Sequence, residues 1–285
     1  SPDKGGGLHV LYGTVTVSGS TISGNNADHG GGLYAAQSAV TLAEAAVEGN
    51  SAYGAGGGLL IYGGTLDTTA GTIDNNTGGY PGGGGLRLDD VDAELIGTVI
   101  SGNTASNGGG VWIAEGTTVL TEVMVTDNTA LSQGGGVYAK DGPLSIGDST
   151  FSGNSAQSSG GGLHARYSPV TLSGSTISGN TSDSSGGGLA VNESLAVADS
   201  TISDNVAYSG GGLAAYSADI TMTDTAVTGN SASFAGGAFY VNYSSMTLTD
   251  VTTSGNAARA IVYYGTGHGG GISSRHSTLT IDGGA

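Results

Sequence analysis

A glycine triplet followed by one apolar residue returns eleven times along this chain, counting one variant, and no other feature restricts the fold as severely. The apolar residues are Leu8, Leu33, Leu59, Leu86, Val111, Val137, Leu163, Leu189, Leu213, Phe239 and Ile272, spaced 24 to 27 residues apart except for a last interval of 33. A second mark keeps step with the first: Asn25, Asn50, Asn76, Asn103, Asn128, Asn154, Asn180, Asn205, Asn230 and Asn256. A fixed period of about 20–50 residues belongs to arrays in which each unit buries its apolar face only against its neighbours.

Within each unit the apolar spacing is two, the strand period. Pairs such as Val111/Ile113 follow the glycines, pairs such as Val170/Leu172 come next, and a third apolar point such as Ile177 stands three residues before the asparagine. The expectation is an all-β parallel β-solenoid with about 26 residues and three strands per coil, nearly eleven coils in one domain over 1–285. Equivalent residues of successive coils then lie about 4.8 Å apart. At that spacing the ten asparagines stack into an amide ladder, each side chain donating to one neighbour and accepting from the other.

Gly30-Gly31-Gly32-Leu33 and Phe151-Ser152-Gly153-Asn154 resemble the GGA(I/L/V) and FxxN repeats of the polymorphic outer-membrane protein family and related bacterial surface proteins. The resemblance covers essentially the whole chain. It implies a right-handed parallel β-helix displayed outside the cell or at its surface, of the autotransporter-passenger or adhesin type. The sequence departs from that pattern by using GGG in most coils and Ile or Val for Phe, and it has no membrane-barrel segment.

Composition narrows the partners. Asp and Glu outnumber Lys and Arg by 23 to 6, for a formal charge of -17, which disfavours nucleic acid and anionic lipid. There is no cysteine, so thiolate chemistry is out, and no apolar run reaches the ~20 residues of a spanning helix. The chain opens on Ser1 rather than Met and stops after the second strand of an eleventh unit, which reads as a processed product, a fragment of a longer solenoid, or a subunit whose ends meet other copies. Head-to-tail contact of that kind builds a filament.

Three groups of residues are candidates for chemistry. The position after each glycine mark points out of the core and carries Tyr34, Trp112 and Tyr138 among others, a row of rings suited to stacking on sugars. Three positions on, Asp90, Glu115 and Asp141 fall in adjacent coils, at separations that bracket glycosidase carboxylate pairs. They are the catalytic candidates if the chain is a polysaccharide hydrolase or lyase; otherwise no enzyme is expected. A further acidic column contains Asp199, Asp224 and Asp250 in consecutive coils, where Ca²⁺ is the one cofactor the pattern would accept. The five histidines show no ligand spacing for zinc. Finally, a long inserted loop at 257–268 carries Arg259, Tyr263 and Tyr264 and reads either as a docking surface or as a lid over the last coils. The expected partners are therefore copies of the same chain end to end, or cell-surface and glycan ligands. The first reading is a stiff structural and adhesive rod, and the alternative is a glycan-binding or glycan-degrading module.

Overall fold

Ten complete coils and the first two strands of an eleventh wind through the protein, in a computed structural model that describes residues 3–259 and 269–283. No helix forms among the described residues, and every pairing between named strands is parallel. Register follows the repeat: Leu86 pairs with Val111, Val111 with Val137, and Val137 with Leu163.

The three expected strands are present, with two refinements. The first and second strands lie in one sheet of 19 strands and run together without a break in Leu33–Ala43, Leu59–Thr69 and Leu86–Ile96. The third strands, such as Thr150–Ser152, build a second sheet of 10. After each asparagine comes a fourth, shorter strand, mostly two residues such as Ser155–Ala156, and these make a narrow third sheet of 10. A two-residue strand is too short to show alternation, which hides it from a periodicity reading.

Alternation places one side chain of each pair inside. Leu33, Leu59, Leu86, Val111, Val137, Leu163, Leu189, Leu213 and Phe239 form a column with 0% exposure, and Ile73, Ile100, Val125, Phe151 and Ile177 form another from the third strands. These columns merge into one continuous apolar core.

The asparagine ladder closes that core at one corner. Asn154 Nδ2 donates to Asn180 Oδ1 at 2.9 Å and to the Val125 carbonyl of the preceding coil at 2.8 Å. Its Oδ1 accepts from both the backbone N–H and the Nδ2 of Asn128, each at 3.0 Å. The backbone N–H of each asparagine thus joins the ladder that the side chains were expected to form alone. A second ladder stands at the corner before the third strand, where Val123 N–H donates to Ser149 Oγ, Ser149 N–H to Ser175 Oγ and Ser175 N–H to Ser200 Oγ.

The coil at 160–162 explains the glycine triplet. Gly160 has φ +71, where only glycine is unstrained. A Cβ on Gly161 would meet the carbonyl oxygens of Gly187 and Thr181 at under 3.0 Å, and one on Gly162 would lie 2.7 Å from the Gly188 carbonyl oxygen and 3.3 Å from the Asn180 amide. The third position is the one that admits a methyl group, since Ala238 occupies it with 0% exposure.

Candidate functional site

The ring row stands outside the core, as its alternation requires, yet it is not open. Tyr34 is 7% exposed, Leu60 7% and Tyr138 4%, while Trp112 and His164 are half-buried. Residues between an asparagine and the next glycine triplet lie against these side chains, Ala55 at Tyr34 and Gly82 at Trp112. Tyr34, Ala55 and Leu60 form a small cluster of their own, and a Cβ on Gly82 would lie 2.5 Å from the Trp112 ring. Tyr34 and Tyr138 are thus buried where a sugar-stacking row would need them open, and Trp112 keeps part of its surface; Tyr34 meets the His9 ring edge-on at 5.2 Å, while Trp112 and Tyr138 belong to a separate run of packed rings. Arg87 sits 4.3 Å from the Trp112 ring, Trp112 lies 4.9 Å from Tyr138, and Tyr138 stacks on His164 at 5.4 Å and 8°. Such ring pairs add about 0.5–1.5 kcal/mol each beyond area burial.

The acidic candidates share a different cause. Asp90, Glu115 and Asp141 occupy one corner in successive coils with φ of 55, 61 and 58. Asp199, Asp224 and Asp250 occupy another, with φ of 49, 47 and 52. A corner that turns through the left-handed region favours Gly, Asn and Asp, so the columns are first of all turn chemistry. All six side chains are exposed, and Asp141 pairs with Lys140 at 2.8 Å. Among the described residues no group of three or more His, Asp or Glu is arranged to hold a metal, so the Ca²⁺ candidate at Asp199, Asp224 and Asp250 is not assembled.

Among the described residues are concavities that were not foreseen, one of about 310 Å³ that includes Arg259 with Asp183 and Tyr208. An acidic groove of about 530 Å³ on the outer face of the second strands is lined by Asp67, Asp92 and Glu94, with Asp67 and Glu94 direct register partners. Another, of about 610 Å³, lies between the turn tips and includes His29 and the exposed Tyr53 and Tyr80. A smaller one, of about 280 Å³, sits at the end of the ring row and includes Gln133, Ser159, His164, Arg166, Asn192 and Tyr216. Burial, helped by the Arg166 charge, pushes the His164 imidazole down to about 4, and burial raises the Tyr216 phenol. Of the loop candidates, Arg259 is exposed, and Tyr263 and Tyr264 lie outside the described residues.

A family model described as right handed beta helix region matches residues 121–279, just over half of the chain. No curated protein and no solved structure matches.

Proposed function

Because this chain belongs to the right handed beta helix region family, we propose that it is a stiff structural and adhesive rod, displayed outside the cell or at its surface, whose copies stack end to end. The observation that carries the reading is the uninterrupted asparagine ladder: Asn76 through Asn230 are 0% exposed at every coil, so the axis is held by an internal rail as well as by three sheets. Parallel in-register pairing makes one edge of such a rod complementary to the opposite edge of another. The resemblance of its repeats to bacterial surface proteins of the autotransporter-passenger or adhesin type supports the same compartment. Electron microscopy of the purified chain, with and without a chelator, tests the assembly. Unbranched filaments with the solenoid along their axis are expected, and dispersed short rods at all concentrations argue against stacking. Antibody labelling of intact producing cells tests the display, which fails if signal appears only after lysis.

The acidic groove favours a second reading, a glycan-binding or glycan-degrading module. Register-paired Asp67 and Glu94 have backbones about 4.8 Å apart, within reach of a retaining carboxylate pair. Glu94→Gln and the pair Asp90→Asn with Glu115→Gln separate two candidate centres: loss of polysaccharide turnover in one variant locates the chemistry, and full turnover in both rejects both.

A further inference from the structure

The cavity of about 280 Å³ lies where the repeat itself is broken. Trp112, Tyr138 and His164 occupy the ring position in three successive coils, then Ala190 and Ala214 follow before Tyr240 restores a ring. The unit from Leu189 to Leu213 is also the shortest, at 24 residues. Two methyl side chains in place of rings, next to a shortened corner at Asn192, leave the gap.

The chemistry of the lining runs against that of the protein. The chain carries 23 acidic residues and 6 basic ones, yet the lining includes Arg166, whose exposed guanidinium lies 5.2 Å from the Tyr167 ring, and no Asp or Glu. Lys140, the register neighbour of Arg166, has its charge paired with Asp141 at 2.8 Å, which leaves Arg166 as the cation of the lining. Asn192 Oδ1 accepts from the Tyr167 N–H at 2.8 Å, which fixes the amide so that its NH₂ remains as a donor. His164 Nδ1 is buried and makes no well-formed hydrogen bond, with only the Ser159 backbone acting on the ring, a condition that costs about 1–3 kcal/mol unless something fills it. Ala190 and Val191 supply an apolar wall. A guanidinium, amide donors and a poorly bonded imidazole nitrogen beside a small apolar surface describe a recipient for a planar anion on a short carbon body.

We propose that this cavity binds a small carboxylate-bearing molecule, its carboxylate paired with Arg166 and hydrogen-bonded by Asn192, with the His164 ring satisfied by the bound ligand. The volume admits one sugar ring or a short organic acid, so the carboxylate arises either from a uronic acid or from a free acid. The site goes beyond the rod reading and does not depend on filament formation.

Titration of the intact chain at pH 7 and low salt with D-glucuronate, L-lactate and uncharged D-glucose, followed by calorimetry and by the ring ¹⁵N signals of His164, decides the matter. The expectation is saturable binding of at least one acid, a shift of the His164 signals, and no binding of glucose. Glucuronate alone identifies a uronic acid; lactate binding as well identifies a free carboxylate. Arg166→Gln should weaken binding at least about tenfold, while Arg275→Gln, exposed on a later coil, should leave it unchanged. Glucose binding as tightly as glucuronate, an unchanged affinity in Arg166→Gln, or no binding of either acid up to about 20 mM overturns the proposal.

Discussion

Replacing Asn154 by Ala removes four hydrogen bonds from the middle of the ladder, and the neighbours show which losses matter. Asn180 Oδ1 keeps the Asn154 backbone N–H at 3.0 Å, and Asn128 Nδ2 keeps the Ile100 and Thr126 carbonyls at 2.9 and 3.0 Å. The Asn128 backbone N–H loses its acceptor, and the Val125 carbonyl loses the Nδ2 donor. With Asn154 at 0% exposure no water replaces them. The Asn128 N–H left unpaired costs about 2 kcal/mol, and the Val125 carbonyl, which keeps its place in the strand ladder, loses a second donor at about 1 kcal/mol, giving a destabilisation of about 3 kcal/mol. Asn25→Ala is the control: Asn25 is half-buried and its side chain donates one ladder bond, at 2.9 Å, so its loss costs about 1 kcal/mol. For 285 residues the unfolding entropy is about 0.6 kcal/mol per degree, and Asn154→Ala should lower Tm by about 5 °C. Long repeat arrays depart from two-state melting, so amide hydrogen exchange is the sharper assay. The Asn128 amide should exchange about 10²-fold faster in the variant. Exchange within tenfold of the parent, or equal effects of Asn154→Ala and Asn25→Ala, would refute the view that the ladder is a stabilising rail.

Other consequences are as direct. Gly161→Ala, which drives a methyl into two backbone carbonyls, should destabilise by about 3 kcal/mol, whereas Gly147→Ala, with its nearest neighbour Ser173 Oγ at 3.9 Å, should be neutral or stabilising by about 0.5 kcal/mol; denaturant titration distinguishes them. His164 binds its proton less readily folded, at about 4, than unfolded, near 6.5, so the unfolded chain takes up the extra proton between those values and stability falls as pH drops through that window. The loss is at most about 3 kcal/mol, and His164→Asn should flatten this part of the Tm–pH profile; an unchanged profile counts against a buried neutral imidazole. Glu122→Asn, at a corner with φ 56, should gain about 0.5 kcal/mol in the same titration, because asparagine tolerates the left-handed region better and a charge leaves the column shared with Asp148.

What was legible in the sequence followed from period and spacing. The interval from the second strand to Ile177 and Asn180 repeats without change, so the third strand, the ladder and the parallel register could be read before any coordinates. The corners were harder to read. Asp148, Asp199 and Asp224 look like a charge column in one dimension, and only backbone angles reveal that the turn asks for them. The serine ladder left a signal that went unused, the Asp-Ser-Thr and Gly-Ser-Thr triplets at 148–150, 174–176 and 199–201. Covering of Tyr34 and Tyr138 depends on how variable turns lie across the neighbouring strands, information that no column of equivalent residues holds. The small cavity had a trace all the same: Ala190 and Ala214 interrupt a run of rings within the shortest unit.

The ladder also sets the terms on which this protein changes length. An interior asparagine hands its coil's amide to the next and takes the previous one, so the balance of donors and acceptors is identical in every turn. Excising or duplicating one whole turn therefore creates no orphaned group within the array, whereas removing half a turn strands both amide and serine corners. Any change of length by whole turns is consequently quantised: the rod gains or loses reach in steps of one strand spacing, about 4.8 Å, and its interior needs no redesign.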